Sequence, residues 1–215
     1  MIDNPWLDYS LTAFAFLLLT GYHVRLLYRI RHAPLTTTIG LNIHTRRAWV
    51  ETVMEERLDL LAVQTLRNWA MAASFLATTA ILISLGILNI ALMTSANPEV
   101  SQAVTTLVHR GGELWLVKLV LLAATFFFAF FNFTLAIRSY NHVGVMINIP
   151  PKRDPLITPE LVINMVGRGM NHYSLGMRGY YFAVPLVMWL FGTLWLLSAA
   201  LVMVLVLRKI DHGVD

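Results

Sequence analysis

The chain contains no cysteine. Disulfides, thiolate catalysis, iron–sulfur ligation and cysteine-bound zinc are therefore outside its chemistry. Charge is also scarce. Charged residues make up 13% of the sequence and hydrophobic ones 57%, where a soluble domain carries about 25% charged residues. A water-soluble fold this apolar would lack the polar groups to cover its surface; a bilayer removes that requirement. Soluble-enzyme motifs are missing too: there is no H-E-x-x-H, no P-loop, no G-x-S-x-G and no haem-attachment motif. Gly167-Arg168-Gly169 is a lone G-x-G. The composition points to a membrane protein, a non-enzymatic role is the leading expectation, and the basic residues lack the fold context of a nucleic-acid binder. The start of the chain, with Asp3 and Asp8, is acidic where a secretory leader would be basic, so the first apolar run reads as a retained span.

Four apolar stretches are long enough to cross a bilayer as helices, which takes roughly 20 residues. They run from about Tyr9 to Leu27, Trp69 to Met93, Leu114 to Ile137 and Tyr181 to Leu207. In lipid each backbone must satisfy its own polar groups, so helix is the expected state. The expected fold is all-α: one membrane domain over residues 1–215, a four-transmembrane-helix bundle with cytoplasmic amphipathic helices. The segment 28–68 carries Arg29, Arg31, Arg46, Arg47 and Arg57, and the segment 138–180 carries Arg138, Lys152, Arg153, Arg168 and Arg178. The positive-inside rule makes both cytoplasmic and both termini non-cytoplasmic, in a cell inner or plasma membrane. Arg208 and Lys209 after the last span count against this orientation.

The cytoplasmic segments carry helix signals. Trp49, Val50, Val53, Met54, Leu58 and Leu61 recur at three- and four-residue spacing, which predicts an amphipathic helix over Thr45–Arg67 running into the second span. Thr158-Pro159-Glu160 combines an N-cap, a proline at the first helical position and an acid in the first turn. A helix is expected from there to about Tyr173, weakened or bent by Gly167, Gly169, Gly176 and Gly179. Asn97-Pro98-Glu99 reads as the start of a short outer helix ending at Gly111. Pro185 and Gly192 mark the fourth span for a kink. The second span is rich in Ala, Ser and Thr, the residues that let helices approach closely in lipid, and it is expected to be the central helix.

Polar residues gather at the expected cytoplasmic helix ends. His23, Arg25, Arg67, Asn68, Arg138, Asn141, His172 and Arg178 form a candidate anion or polar site. Long basic side chains near helix ends are ordinary snorkelling anchors, so a positive vestibule is the sharper of two readings. His23, His142 and His172 are the set from which a metal or haem would draw ligands. No pair of them has the tight i, i+4 spacing of a zinc helix, so polar packing is the favoured reading and no cofactor is expected. Lys118, one turn into the third span, is expected to reach the outer headgroups. Asn132 is expected to face another helix, because an amide facing lipid would be left unsatisfied. The many phenylalanines of the third span cover its circumference, so some should face lipid.

The run Leu61-Ala62-Val63-Gln64-Thr65-Leu66-Arg67-Asn68, continued by Ala77-Thr78-Thr79-Ala80-Ile81-Leu82, resembles an uncharacterised multi-pass membrane family, the domain of unknown function 599. Gly21-Tyr22-His23, Arg46-Arg47-Ala48-Trp49-Val50, Ile147-Asn148-Ile149-Pro150, and Arg178-Gly179-Tyr180-Tyr181-Phe182-Ala183 with Pro185 and Trp189 share the resemblance. It implies a multi-pass protein and supplies no catalytic residue. It implies that His23, Arg67, Asn68 and Arg178 belong to family motifs. The leading expectation is binding or permeation of an ion or small anion by a homo-oligomer. The alternatives are an accessory or scaffold subunit of a larger membrane complex, and a haem or metal redox protein. The lipid bilayer is the one partner common to all three.

Overall fold

The computed structural model describes residues 5–32, 37–96, 114–150 and 152–211. The described residues form six helices and no sheet: α1 (Pro5–His32), α2 (Thr38–Glu56), α3 (Asp59–Ala96), α4 (Trp115–Met146), α5 (Pro159–Leu190) and α6 (Thr193–Asp211). The expected short helix at Asn97–Gly111 lies outside the described residues. Three of the helices, α3, α4 and α6, are long and apolar enough to cross a membrane, not four. The first expected span is helical, but Thr12, Thr20, His23 and Arg25 dilute its apolar run. The fourth, 181–207, is not a single helix: α5 ends at Leu190 and α6 begins at Thr193. Many large apolar side chains face outward on these helices, among them Phe75, Leu82, Phe127, Phe131, Trp195 and Leu205. That pattern suits lipid.

The chain divides into two compact units. One comprises Met1–Gly40, Leu82–Phe126 and Tyr180–Asp215, and the other Leu41–Ile81 and Phe127–Gly179. In the first unit α5 runs antiparallel to α1: Trp189 packs its ring on Phe16 at 5.5 Å and Phe182 lies 4.7 Å from the His23 ring. The chain then reverses. Gly192 has a φ of +135°, a region open only to glycine at low cost, and its carbonyl accepts the first hydrogen bond of α6, from the Leu196 amide. A two-residue connection is enough for a helical hairpin. α6 returns along α1 in the same direction as α1, and Asp211 accepts a 2.6 Å hydrogen bond from the Tyr22 hydroxyl. Asp211 therefore lies towards the end of α1 away from Trp6. The single span expected over 181–207 is therefore two helices joined at Gly192, a reversal that an apolar run does not reveal.

Lys118 holds the hairpin from α4. Its ammonium donates to the Trp189 carbonyl at 3.1 Å and sits 5.0 Å from the centre of the Trp189 ring. The Trp189 carbonyl also accepts from the Gly192 amide at 3.2 Å, and the last turn of a helix carries its partial negative charge, so the cation is used there and not at the outer headgroups. Ser84 on α3 donates to the Ala123 carbonyl on α4. Ser84 and Ala91 are buried, part of the close-packed face that small residues permit.

In the second unit the expected helix over Thr45–Arg67 is cut. Arg57 has a φ of 58°, and the Leu58 amide reaches back to the Val53 carbonyl at 3.1 Å. This 6→1 bond is a Schellman stop, with arginine in the left-handed position that glycine usually takes. The next helix, α3, starts at Asp59, which pairs with Arg57 at 3.0 Å. α5 starts as its signals require: the Leu161 amide donates to the Thr158 hydroxyl, with Pro159 first in the helix. It does not stop near Tyr173 but continues to Leu190. Two of its glycines pack instead of bending it. A Cβ on Gly169 would meet Tyr140 at 2.7 Å, and one on Gly176 would meet Phe133 at 2.7 Å. α4 is also more enclosed than α3: 39% of its most apolar stretch is buried, against 22% for α3.

Candidate functional site

The expected site residues separate by unit. His23 and Arg25 lie in the first, and Arg67, Asn68, Arg138, Asn141, His172 and Arg178 in the second.

In the first unit α1 and α6 enclose a cleft of about 770 Å³. Arg25 and Arg29 lie one helical turn apart on α1 and so share a face. Arg208 comes from the last turn of α6, where a cation suits the helix dipole. These three guanidinium groups line the cleft together with Tyr22 and Asp211. Asp211 is buried, and the Tyr22 hydroxyl donates to its Oδ2. Thr38, at the start of α2, donates to the Ile210 carbonyl at 2.9 Å and so ties down the last turn of α6. Among the described residues the cleft is therefore lined by three guanidinium groups and one carboxylate. Guanidinium groups in this number suit a planar or tetrahedral oxyanion. The deeper wall, one turn or more before the arginines, is formed by Leu18, Gly21 and Val204.

His23 does not line this cleft. Its Nδ1 lies 2.8 Å from the Leu19 carbonyl, its ring packs on Phe182 at 4.7 Å and meets Tyr22 edge-on. The Nδ1–H donates to the carbonyl, and the imidazole works as a packing group between α1 and α5.

In the second unit a groove of about 600 Å³ between α3 and α4 is lined by Arg67, Ser74, Tyr140 and Asn141 among others. Arg138, Asn141 and His142 line a neighbouring groove of about 450 Å³. The structure thus brings Arg67, Arg138 and Asn141 to adjoining surfaces of α3 and α4. Asn68 and Arg178 line neither groove. His172 turns elsewhere: its Nδ1 is 3.1 Å from Oδ1 of Asn132, whose amide nitrogen donates to the Phe128 carbonyl. Asn132 is buried and faces another helix, as expected. Among the described residues no three His, Asp or Glu side chains converge as a metal site.

Around Tyr140 the unit is aromatic and closely packed. Trp49 meets Trp69 at 5.5 Å, Trp69 meets Tyr140 at 5.8 Å, and the Tyr140 hydroxyl donates to the Met170 sulfur at 3.1 Å. Arg46 lies near this group on α2. Burial lowers its guanidinium pKa from the ordinary value, with Tyr140 acting in the opposite sense. One residue on, Arg47 grips both carboxylate oxygens of Glu160 at 2.5 and 2.6 Å, fastening α2 to the first turn of α5.

The sequence reading missed Arg29, Arg208 and Asp211 as partners of Arg25. Arg208 was visible, but as a contrary sign for orientation. The signal that could have found the group is Gly192, the one residue in the apolar run that permits a reversal.

No curated protein and no solved structure matched the chain. A family model described as "Protein of unknown function, DUF599" matches residues 10–214. With nearly the whole chain covered, the protein belongs to the DUF599 family.

Proposed function

We propose that the chain is a multi-pass membrane protein that binds an anion in the cleft between α1 and α6, at their cytoplasmic ends. The observation that carries this is the convergence of Arg25, Arg29 and Arg208 on one cleft where, among the described residues, Asp211 is the single carboxylate. The membrane setting is supported by three helices of spanning length and apolarity and by the outward-facing apolar side chains, a surface too extensive for a soluble monomer. The α6 reversal supports an orientation with Trp6 outside and Asp211 inside. Arg208 and Lys209 then agree with the positive-inside rule instead of opposing it. In this reading α2 is a cytoplasmic amphipathic helix. Val50, Val53 and Met54 are buried on one face, and Arg47, Glu55 and Glu56 are exposed on the other.

Two measurements test it. The absence of cysteine lets single reporters be introduced without background. Trp6→Cys and Lys209→Cys should react with an impermeant maleimide from opposite faces of sealed vesicles; labelling from the same face refutes the orientation. For the anion, protein in non-ionic detergent should be stabilised against heat by inorganic phosphate. Arg25→Gln and Arg208→Gln should each weaken that binding roughly tenfold, the typical effect of one charge-assisted hydrogen bond. A wild-type protein indifferent to millimolar phosphate and sulfate, or variants that bind as tightly, would refute the site.

A further inference from the structure

The α1–α6 cleft is ordered along the helix axes. Arg25, Arg29 and Arg208 occupy the C-terminal ends of the two helices, while Leu18, Gly21 and Val204 lie one to three turns nearer their middles. A free oxyanion needs only the first group. An amphipath needs both, in this order. We propose that the occupant is an anionic phospholipid, its phosphate on the three arginines and an acyl chain lying along Leu18, Gly21 and Val204. This rests on the anion-binding reading and extends it from a charge to a ligand class.

Two further features fit a chain-bearing ligand. A Cβ on Gly21 would meet nothing within 4 Å, so the lining at that point leaves open space beside the helix backbone, where a methylene chain can lie. The flanking residues Leu17, Val24, Leu201 and Leu205 are exposed and apolar, so the cleft opens onto a surface that continues the acyl environment. The charge excess selects against zwitterionic lipids: a phosphocholine headgroup would bring its own cation to three guanidinium groups, and a phosphatidylglycerol headgroup would not. Asp211 has a separate part. Held by Tyr22, it lines the same cleft as the arginines, so the lipid phosphate is the second anion of the cleft and not the first.

The experiment uses the full chain in non-ionic detergent, with dioleoyl phosphatidylglycerol, dioleoyl phosphatidylcholine and inorganic phosphate as probes. Retained lipid is counted by native mass spectrometry and phosphate binding by thermal shift. The wild type should retain phosphatidylglycerol at least about tenfold better than phosphatidylcholine. The Arg25→Gln/Arg208→Gln double variant should lose that preference together with the phosphate response. Gly21→Leu fills the apolar half and should lower phosphatidylglycerol retention while leaving the phosphate response intact. Leu18→Gln reads the same half if Gly21→Leu does not fold. Equal retention of the two lipids, with phosphate still bound, overturns the lipid assignment and leaves the anion site standing. Unchanged phosphatidylglycerol retention in both apolar-half variants overturns the acyl-chain placement. Loss of every anion response in the wild type overturns both readings.

Discussion

Replacing Gly167 and Gly176 by alanine, one at a time, should affect stability unequally. Both residues are interior to α5, so the helix-propensity gain is the same, about 1 kcal/mol. Their surroundings differ. A Cβ on Gly167 meets nothing within 4 Å, whereas one on Gly176 meets three ring atoms of Phe133 at 2.7 to 2.9 Å. Phe133 is fully buried and stands edge-on to Tyr173 at 5.6 Å, so its ring has little room to yield. Overpacking of this kind costs about 1–3 kcal/mol. Gly167→Ala should therefore stabilise by up to about 1 kcal/mol, and Gly176→Ala should lie about 1–3 kcal/mol below it. The difference between the two variants is the informative quantity, because propensity cancels. Reversible unfolding in mixed micelles, followed by circular dichroism, measures it. A Phe133→Leu background should recover part of the Gly176→Ala loss, with a coupling above about 0.5 kcal/mol. Equal midpoints for the two alanine variants would show that α5 and α4 do not approach closely at Gly176.

Three further outcomes follow from single contacts. Gly192→Ala forces a side chain onto a φ of +135° and should cost about 1–3 kcal/mol; an unchanged midpoint would argue against a hairpin there. Lys118→Met removes a half-buried hydrogen bond to the Trp189 carbonyl and the contact with its ring. That should cost about 1–2 kcal/mol, and a wild-type unfolding curve would refute the capping role. Arg57→Gly relieves a left-handed arginine, worth roughly 1–2 kcal/mol, and loses an exposed pair with Asp59 worth at most about 1 kcal/mol. The variant should be as stable as the wild type or slightly more so, and a clear loss of stability would show that the ion pair dominates.

The features legible in the sequence were those written in local residue type. Apolar length marked α3 and α4, and Thr158-Pro159-Glu160 marked the start of α5 within a residue. Asn132 was correctly expected to face another helix, because an unpaired amide has no place in lipid. What escaped was decided by tertiary partners. Arginine at a left-handed helix stop gives no glycine or proline to read, so the break at Arg57 was invisible. Gly169 and Gly176 look like helix weakeners until Tyr140 and Phe133 are placed against them. Gly192 reads as a kink in an apolar run, since nothing in that run distinguishes a bend from a reversal. That one ambiguity hid most of the α1–α6 cleft. It left Arg25 grouped with His23, which serves packing, and not with Arg208, which shares its cleft.

The tight turn at Phe191–Gly192 also bears on assembly. With two residues between α5 and α6, the two helices cannot be placed independently: seating one fixes where the other starts, and the ammonium of Lys118 marks that point. The Tyr22–Asp211 contact joins residues 189 positions apart, so the cleft exists only once the first and last helices have met.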